Sequence, residues 1–128
     1  MRILIDTNRY RDFCQGIPDV VHRMQTVEEI YLPFVCLAEL RAGFLCGTAA
    51  RQNEAVLVRF LNRDRVDVLY PNEDTTHHYA RIYCQLRKQG TPIPTNDMWI
   101  AGLAVQHDLL LYSRDSHFSA LPQLARLD

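Results

Sequence analysis

Four acidic residues spread along the chain, Asp6, Glu39, Asp97 and Asp115, stand where carboxylates are either useful or costly. Asp6 follows the apolar run Ile3-Leu4-Ile5 and precedes Thr7 and Asn8. A carboxylate, a hydroxyl and an amide thus stand where a strand buried on both faces would end, and ligands of open α/β sheets bind beyond the carboxyl ends of strands. Taken alone, Asp6 or Asn8 is more simply a cap of the following helix. Glu39 interrupts the apolar stretch from Phe34 to Leu45, with Val35, Ala42 and Gly43 one turn away on the same face. That pattern predicts a largely buried helix over Phe34 to Gly43 and a buried carboxylate, which is costly unless it is paired or holds a cation. An ion pair with an arginine and a metal site both remain open at this point. Asp97 follows Asn96, which is expected to cap the helix from Met98 to His107; the positive end of the helix dipole favours Asp97 in its first turn. Asp115 lies in Ser113-Arg114-Asp115-Ser116-His117-Phe118, directly after a second apolar run, Leu109 to Tyr112.

The elements between these acids alternate. Helices are expected from Arg9 to Gln15 with Gly16 as a stop, from Pro18 to Thr26, and from Ala49 to Asn62 behind a Thr48 cap. Strands are expected at Glu29 to Leu32 and at Arg65 to Tyr70, each closed by a proline, with a last edge strand near Ala125 to Leu127. The clearest helix runs from Asp74 or Thr75 to Gln89, with Tyr79, Ile82, Tyr83 and Leu86 at core spacing and Gly90 in the C′ position. Thr91-Pro-Ile-Pro-Thr95 must be extended. Strands alternating with helices predict an α/β fold, a central parallel sheet of about four or five strands flanked by helices, in one domain over residues 1–128. On that geometry Asp6 and Asp115 end strands at the same edge, and Glu39 and Asp97 sit on helices able to flank the same crevice.

Composition narrows the function classes. No run approaches the ~20 apolar residues that cross a bilayer, and the N-terminus enters a strand at once, so a soluble, intracellular, cytoplasmic protein is expected. The formal net charge is −1, which argues against a protein that coats nucleic acid, yet thirteen of the fourteen basic residues are arginine, the residue suited to gripping phosphate. Cys14, Cys36, Cys46 and Cys84 form no C-x-x-C pair and are expected to be buried free thiols. The five histidines show no metal-binding spacing and are expected at the surface or satisfied in place.

Four acids gathered in one pocket repel one another and stay ionised only around a cation; oxygen donors alone point to Mg²⁺ or Mn²⁺ rather than zinc. Such ions most often serve phosphate-ester chemistry.

Ile-Asp6-Thr7-Asn8, Leu37-Ala38-Glu39-Leu40, Pro-Thr-Asn96-Asp97 opening Trp-Ile-Ala-Gly-Leu-Ala, and Ser113 to Phe118 resemble, in this order, the motifs of the PIN domain. They are most similar to those of the small VapC-type toxins of prokaryotic toxin–antitoxin pairs. The resemblance spans the chain. It implies a PIN-like fold, a Mg²⁺- or Mn²⁺-dependent endoribonuclease, and a homodimer held inactive by a cognate antitoxin. Asp6, Glu39, Asp97 and Asp115 would form the acidic quartet. Asp6 and Asp97 would be direct metal ligands, and Glu39 and Asp115 would act through water or a second ion. Thr7, Asn8, Asn96 and Ser113 would support that shell. Arg114 is a candidate phosphate contact by charge and position, not by a family motif. Where the family often continues apolar after Asp-Thr-Asn, this chain has Arg9-Tyr10-Arg11, two arginines whose simplest place is a solvated helix face.

Two other readings differ in kind. A non-catalytic binding module would keep the acids yet only sequester antitoxin or RNA. Phosphoryl transfer through an aspartyl intermediate would want a second aspartate where Asn8 stands and a later lysine, whereas Lys88, the only lysine, lies on an amphipathic helix.

Overall fold

The computed structural model describes residues 1–127. Strand β1 (Arg2–Ile5) leads through helices α1 (Thr7–Cys14) and α2 (Pro18–Thr26) to β2 (Glu29–Pro33). Helices α3 (Phe34–Cys46) and α4 (Ala50–Leu61) precede β3 (Val66–Leu69), and α5 (Glu73–Gln89) and α6 (Thr95–Gln106) precede β4 (Leu110–Tyr112). A 3₁₀ turn (Ser116–Ala120) and a short β5 (Arg126–Leu127) end the fold. The sheet order is β3-β2-β1-β4-β5, and every strand pair in it is parallel. This is the expected α/β architecture with five strands.

The order reverses direction beside β1. The chain moves from β1 to β2 and β3 on one side, then returns to place β4 on the other, which makes the β1/β4 boundary the switch point where such sheets bind ligands. Register fixes the consequence: Ile5 stands opposite Tyr112, so the next residues, Asp6 and Ser113, leave the sheet side by side. Ile3, Leu4, Ile5 and Leu111 are fully buried, as the unbroken apolar runs predicted.

Several local expectations change. Helix α1 begins at Thr7, because Asp6 itself caps it by accepting from the Arg9 N–H, so Thr7 and Asn8 form its first turn. Thr48 caps nothing; α4 starts behind Ala49 without a side-chain cap. Helix α5 starts earlier than its apolar spacing suggested, because Asn72 and Thr75 close a reciprocal capping box, with Thr75 fully buried. Gly90 ends α5 in the left-handed conformation at φ 70°, as expected. Asn96 is not the cap of α6. Pro94, with φ −58° and extended ψ, turns the chain into a helix that starts at Thr95, and the Asn96 amide is left to act elsewhere.

Helix α3 departs most from expectation. Val35, Cys36, Leu37 and Leu40 are buried, but Ala38, Glu39 and the stretch from Arg41 to Gly43 are exposed, and Leu45 is 80% exposed. The apolar residues are too evenly spread to mark one face, and only the first turns meet the sheet. Among the cysteines only Cys36 is buried; Cys14, Cys46 and Cys84 lie on outward helix faces, all as free thiols. Tyr79 and Trp99 stack at 4.3 Å between α5 and α6, the packing role expected of Tyr79, whereas Tyr83, also at core spacing, is 46% exposed. No helix among the described residues is long and apolar enough to cross a membrane.

Candidate active site

Asp6, Thr7, Asn8, Glu39, Asp97 and Asp115 line one pocket of about 100 Å³ beyond the carboxyl ends of β1 and β4, with Arg11, Cys36 and Ile100 completing its wall. All four acids predicted from the sequence therefore meet, although 109 positions separate the first from the last. Asp6 comes from the end of β1, Glu39 from α3, Asp97 from the first turn of α6 and Asp115 from the loop after β4.

The supporting residues act largely as expected. Asp6 is buried; one carboxylate oxygen accepts from the Arg9 N–H at 3.0 Å, and the other accepts from the Ser113 hydroxyl. Ser113 Oγ also receives the Asp115 N–H at 3.0 Å, so one hydroxyl ties two acids together. Thr7 Oγ1 donates to Glu39 Oε2 at 3.5 Å, and Asn96 Nδ2 donates to Glu39 Oε1 at 3.1 Å. Glu39 is thus an exposed carboxylate steered by two neighbours, not a buried one compensated by an arginine. Asn8 also lines the pocket.

The arginines sort differently. Arg114 Nε lies 3.2 Å from Asp12, and Arg9 reaches the same carboxylate at 3.5 Å while its guanidinium rests 4.3 Å over the Tyr112 ring. These contacts pin the loop after β4 to α1. Arg9 is therefore no solvated helix-face residue, and it is Arg11, not Arg114, that lines the acidic pocket.

Sequence reading missed His117. Its Nδ1 lies 2.8 Å from Asp97 Oδ2 and 3.0 Å from Asp115 Oδ1. Spacing along the chain could not reveal it, because the partner Asp97 is twenty residues away on another element. The available signal was position: a histidine two residues after an acid that ends a buried strand.

Electrostatics agree with a site built for a cation. Burial raises the Asp6 carboxyl above its ordinary 3.8, against the lowering effects of Ser113 and Arg9, and Asp115 adds to the rise. Asp97 is likewise raised, by burial first, with His117 opposing and Asp115 and Glu39 reinforcing. Its hydrogen bond to Asp97 raises His117 above 6.5, with Asp115 adding to the effect. Burial pushes the Cys36 thiol up to about 12, so the pocket holds no thiolate. Carboxylates whose ionisation is disfavoured chiefly by burial, with other acids beside them, fit a hard divalent cation.

One result follows for the metal-free protein. Asp6, Asp97 and His117 all bind protons more tightly folded than unfolded, so each removes stability as pH rises from its ordinary value through its raised one. For the acids that window opens at 3.8 and for the histidine at 6.5. Calorimetry in chelator should therefore show the Tm of Asp6→Asn gaining on that of the wild type as pH rises from 3.8, and added Mg²⁺ or Mn²⁺ should raise the wild-type Tm at neutral pH. A difference between the two proteins that shrinks over the same range would contradict this assignment.

Fold and site together define an α/β protein with an acidic pocket at the switch point of a parallel sheet. The PIN domain matches residues 3–124, and the chain belongs to that family. It is similar to Ribonuclease VapC1 of Haemophilus influenzae strain R2866, with 31% identity over 121 residues covering 90% of this chain and 87% of that protein. Among solved structures, VapBC-1 from nontypeable Haemophilus influenzae superposes with a TM-score of 0.88 and 28% identity, covering 100% of this chain and 98% of that one. VapBC-5 from Mycobacterium tuberculosis, a member of the VapBC family of toxin–antitoxin systems, superposes with a TM-score of 0.71 and 25% identity over 98% of both chains.

Proposed function

We propose that this chain is the endoribonuclease toxin of a toxin–antitoxin pair, hydrolysing RNA phosphodiester bonds with Mg²⁺ or Mn²⁺. The observation that carries the reading is the convergence of Asp6, Glu39, Asp97 and Asp115 in one pocket of a chain similar to a VapC ribonuclease. Asp6 and Asp97, the acids most withdrawn from solvent in their surroundings, would hold the cation directly, with Glu39 and Asp115 acting through water or a second ion. A bound cation would supply Lewis acidity for activating water and offsetting charge on the phosphate. The protein's own part is alignment. Ser113 and the Arg9 N–H fix the Asp6 carboxylate, and Thr7 and Asn96 hold Glu39 so that its oxygens need not reorganise. Asn8 faces the same space. Arg11, which lines the pocket, replaces Arg114 as the guanidinium placed to meet a substrate phosphate.

A cognate antitoxin, supported by the likeness to VapBC structures, and a second copy of this chain complete the proposal. The site of action would be the cytoplasm.

The test is cleavage of RNA by the purified protein with and without Mg²⁺ or Mn²⁺, beside Asp97→Asn. Metal-dependent cutting that the variant loses is the expected result. RNA binding without cutting by the wild type would instead favour a binding module, and equal cutting by both proteins would indicate a contaminant.

A further inference from the structure

We infer that His117 is itself a ligand, through Nδ1, of a cation at Asp97 and Asp115, which makes Asp115 a direct ligand there rather than one acting through water, and that this nitrogen biases the site toward a transition ion such as Mn²⁺ over Mg²⁺. The inference rests on the reading of the pocket as a divalent-metal site and adds a donor that the acidic quartet does not include.

The geometry points this way. One ligand atom each from Asp97, Asp115 and His117 lies within 4.8 Å of the other two. His117 Nδ1 is 2.8 Å and 3.0 Å from the two carboxylate oxygens. The shorter spacing is also that of a hydrogen bond to Asp97; what sets the imidazole apart is that one nitrogen stands beside both carboxylates at once, as a third donor would. The ring's lone pair and both carboxylate oxygens can share one cation. The ring is also held in place: its backbone N–H donates to Asp115 Oδ1 at 2.9 Å, and the next residue, Phe118, is anchored in the core. Imidazole binds metal as the neutral ring, here with its proton on Nε2, so a doubly protonated His117 would release its Nδ1 proton to solvent as the cation enters. A nitrogen donor strengthens binding of transition ions relative to Mg²⁺, which prefers oxygen. The remaining histidines, His22, His77, His78 and His107, lie on α2, α5 and the far end of α6, so a nitrogen signal at the metal has one source to test.

The experiment is pulsed electron paramagnetic resonance of the Mn²⁺-loaded protein, wild type beside His117→Ala, with calorimetric titration of both by Mn²⁺ and Mg²⁺. The side chain is exposed, and circular dichroism verifies that the variant folds. Nitrogen modulation in the wild type that disappears in the variant, with Mn²⁺ affinity falling about tenfold or more and Mg²⁺ affinity falling less, is the expected result. Bound Mn²⁺ with no nitrogen modulation, or modulation that survives in His117→Ala, overturns the assignment. A loss of affinity without nitrogen modulation also overturns it, reducing His117 to a residue that positions Asp97 and Asp115. Failure of the wild type to bind Mn²⁺ at all would sink the metal reading of the pocket, and this inference with it.

Discussion

Asp6→Asn is expected to lower RNA cleavage by about 10³-fold or more while leaving the protein as stable as the wild type, or more stable, in the absence of metal. A loss of three decades corresponds to about 4 kcal/mol of transition-state stabilisation. That is a reasonable scale for removing a direct metal ligand, since losing an outer-shell partner alone costs about 10- to 100-fold. The stability half follows from burial. Asp6 is 6% exposed and its carboxyl is raised chiefly because the ionised form is poorly solvated. An amide of the same shape keeps an oxygen to accept a hydrogen bond and removes the charge, so folding no longer carries that desolvation cost. Measuring kcat/KM together with chelated Tm separates the outcomes. Lost activity with a retained or raised Tm fits a site strained by its function; lost activity with a collapsed Tm would make Asp6 a structural cap, the simpler role its position after a strand first suggested.

Phe118→Ala is expected to have the largest effect on stability, about 3–5 kcal/mol, and to reduce activity even where the protein remains folded. Phe118 is 1% exposed and anchors the 3₁₀ turn that begins at Ser116, immediately after Asp115 and next to His117. Removing the ring leaves a cavity beneath that turn and frees His117, which reaches both Asp97 and Asp115. For a domain of this size the loss corresponds to a drop in Tm on the order of 10 °C or more. Leu57→Ala is the control, since Leu57 is fully buried in α4 and outside the pocket lining. Both variants should lose stability, but only Phe118→Ala should lose cleavage rate and Mn²⁺ affinity well below its melting temperature. Equal retention of activity by the two would show that the 3₁₀ turn holds its geometry without the phenyl anchor.

The parallel sheet was legible because Ile3-Leu4-Ile5 and Leu109 to Tyr112 are unbroken apolar runs, and such runs have few places to go except between two layers of helix. The helix ends were less legible. Asn96 has the chemistry of a cap, but Pro94 had already set the backbone, and the freed amide went to Glu39. Helix α3 misled because its composition is apolar on every side; hydrophobicity without a period says that a segment can be buried, not which part of it meets the sheet. Glu39 was singled out for being buried, and is instead exposed at the mouth of the pocket it shares with the other acids.

By itself the sequence determined the residue types of the site and their order, because carboxylates after buried strands and at a helix start are chemical facts of the chain. It also determined that strands and helices alternate, hence that strand ends share an edge. Only the tertiary structure decided which side chains converge there. The reversal of strand order beside β1 set Ser113 against Asp6, and the packing of α6 and the 3₁₀ turn brought His117 between Asp97 and Asp115. The same packing turned Arg114 onto Asp12 and left Arg11 at the pocket. Those pairings join residues up to 107 positions apart, and periodicity, which reports only neighbours within a few turns, carries no information about them.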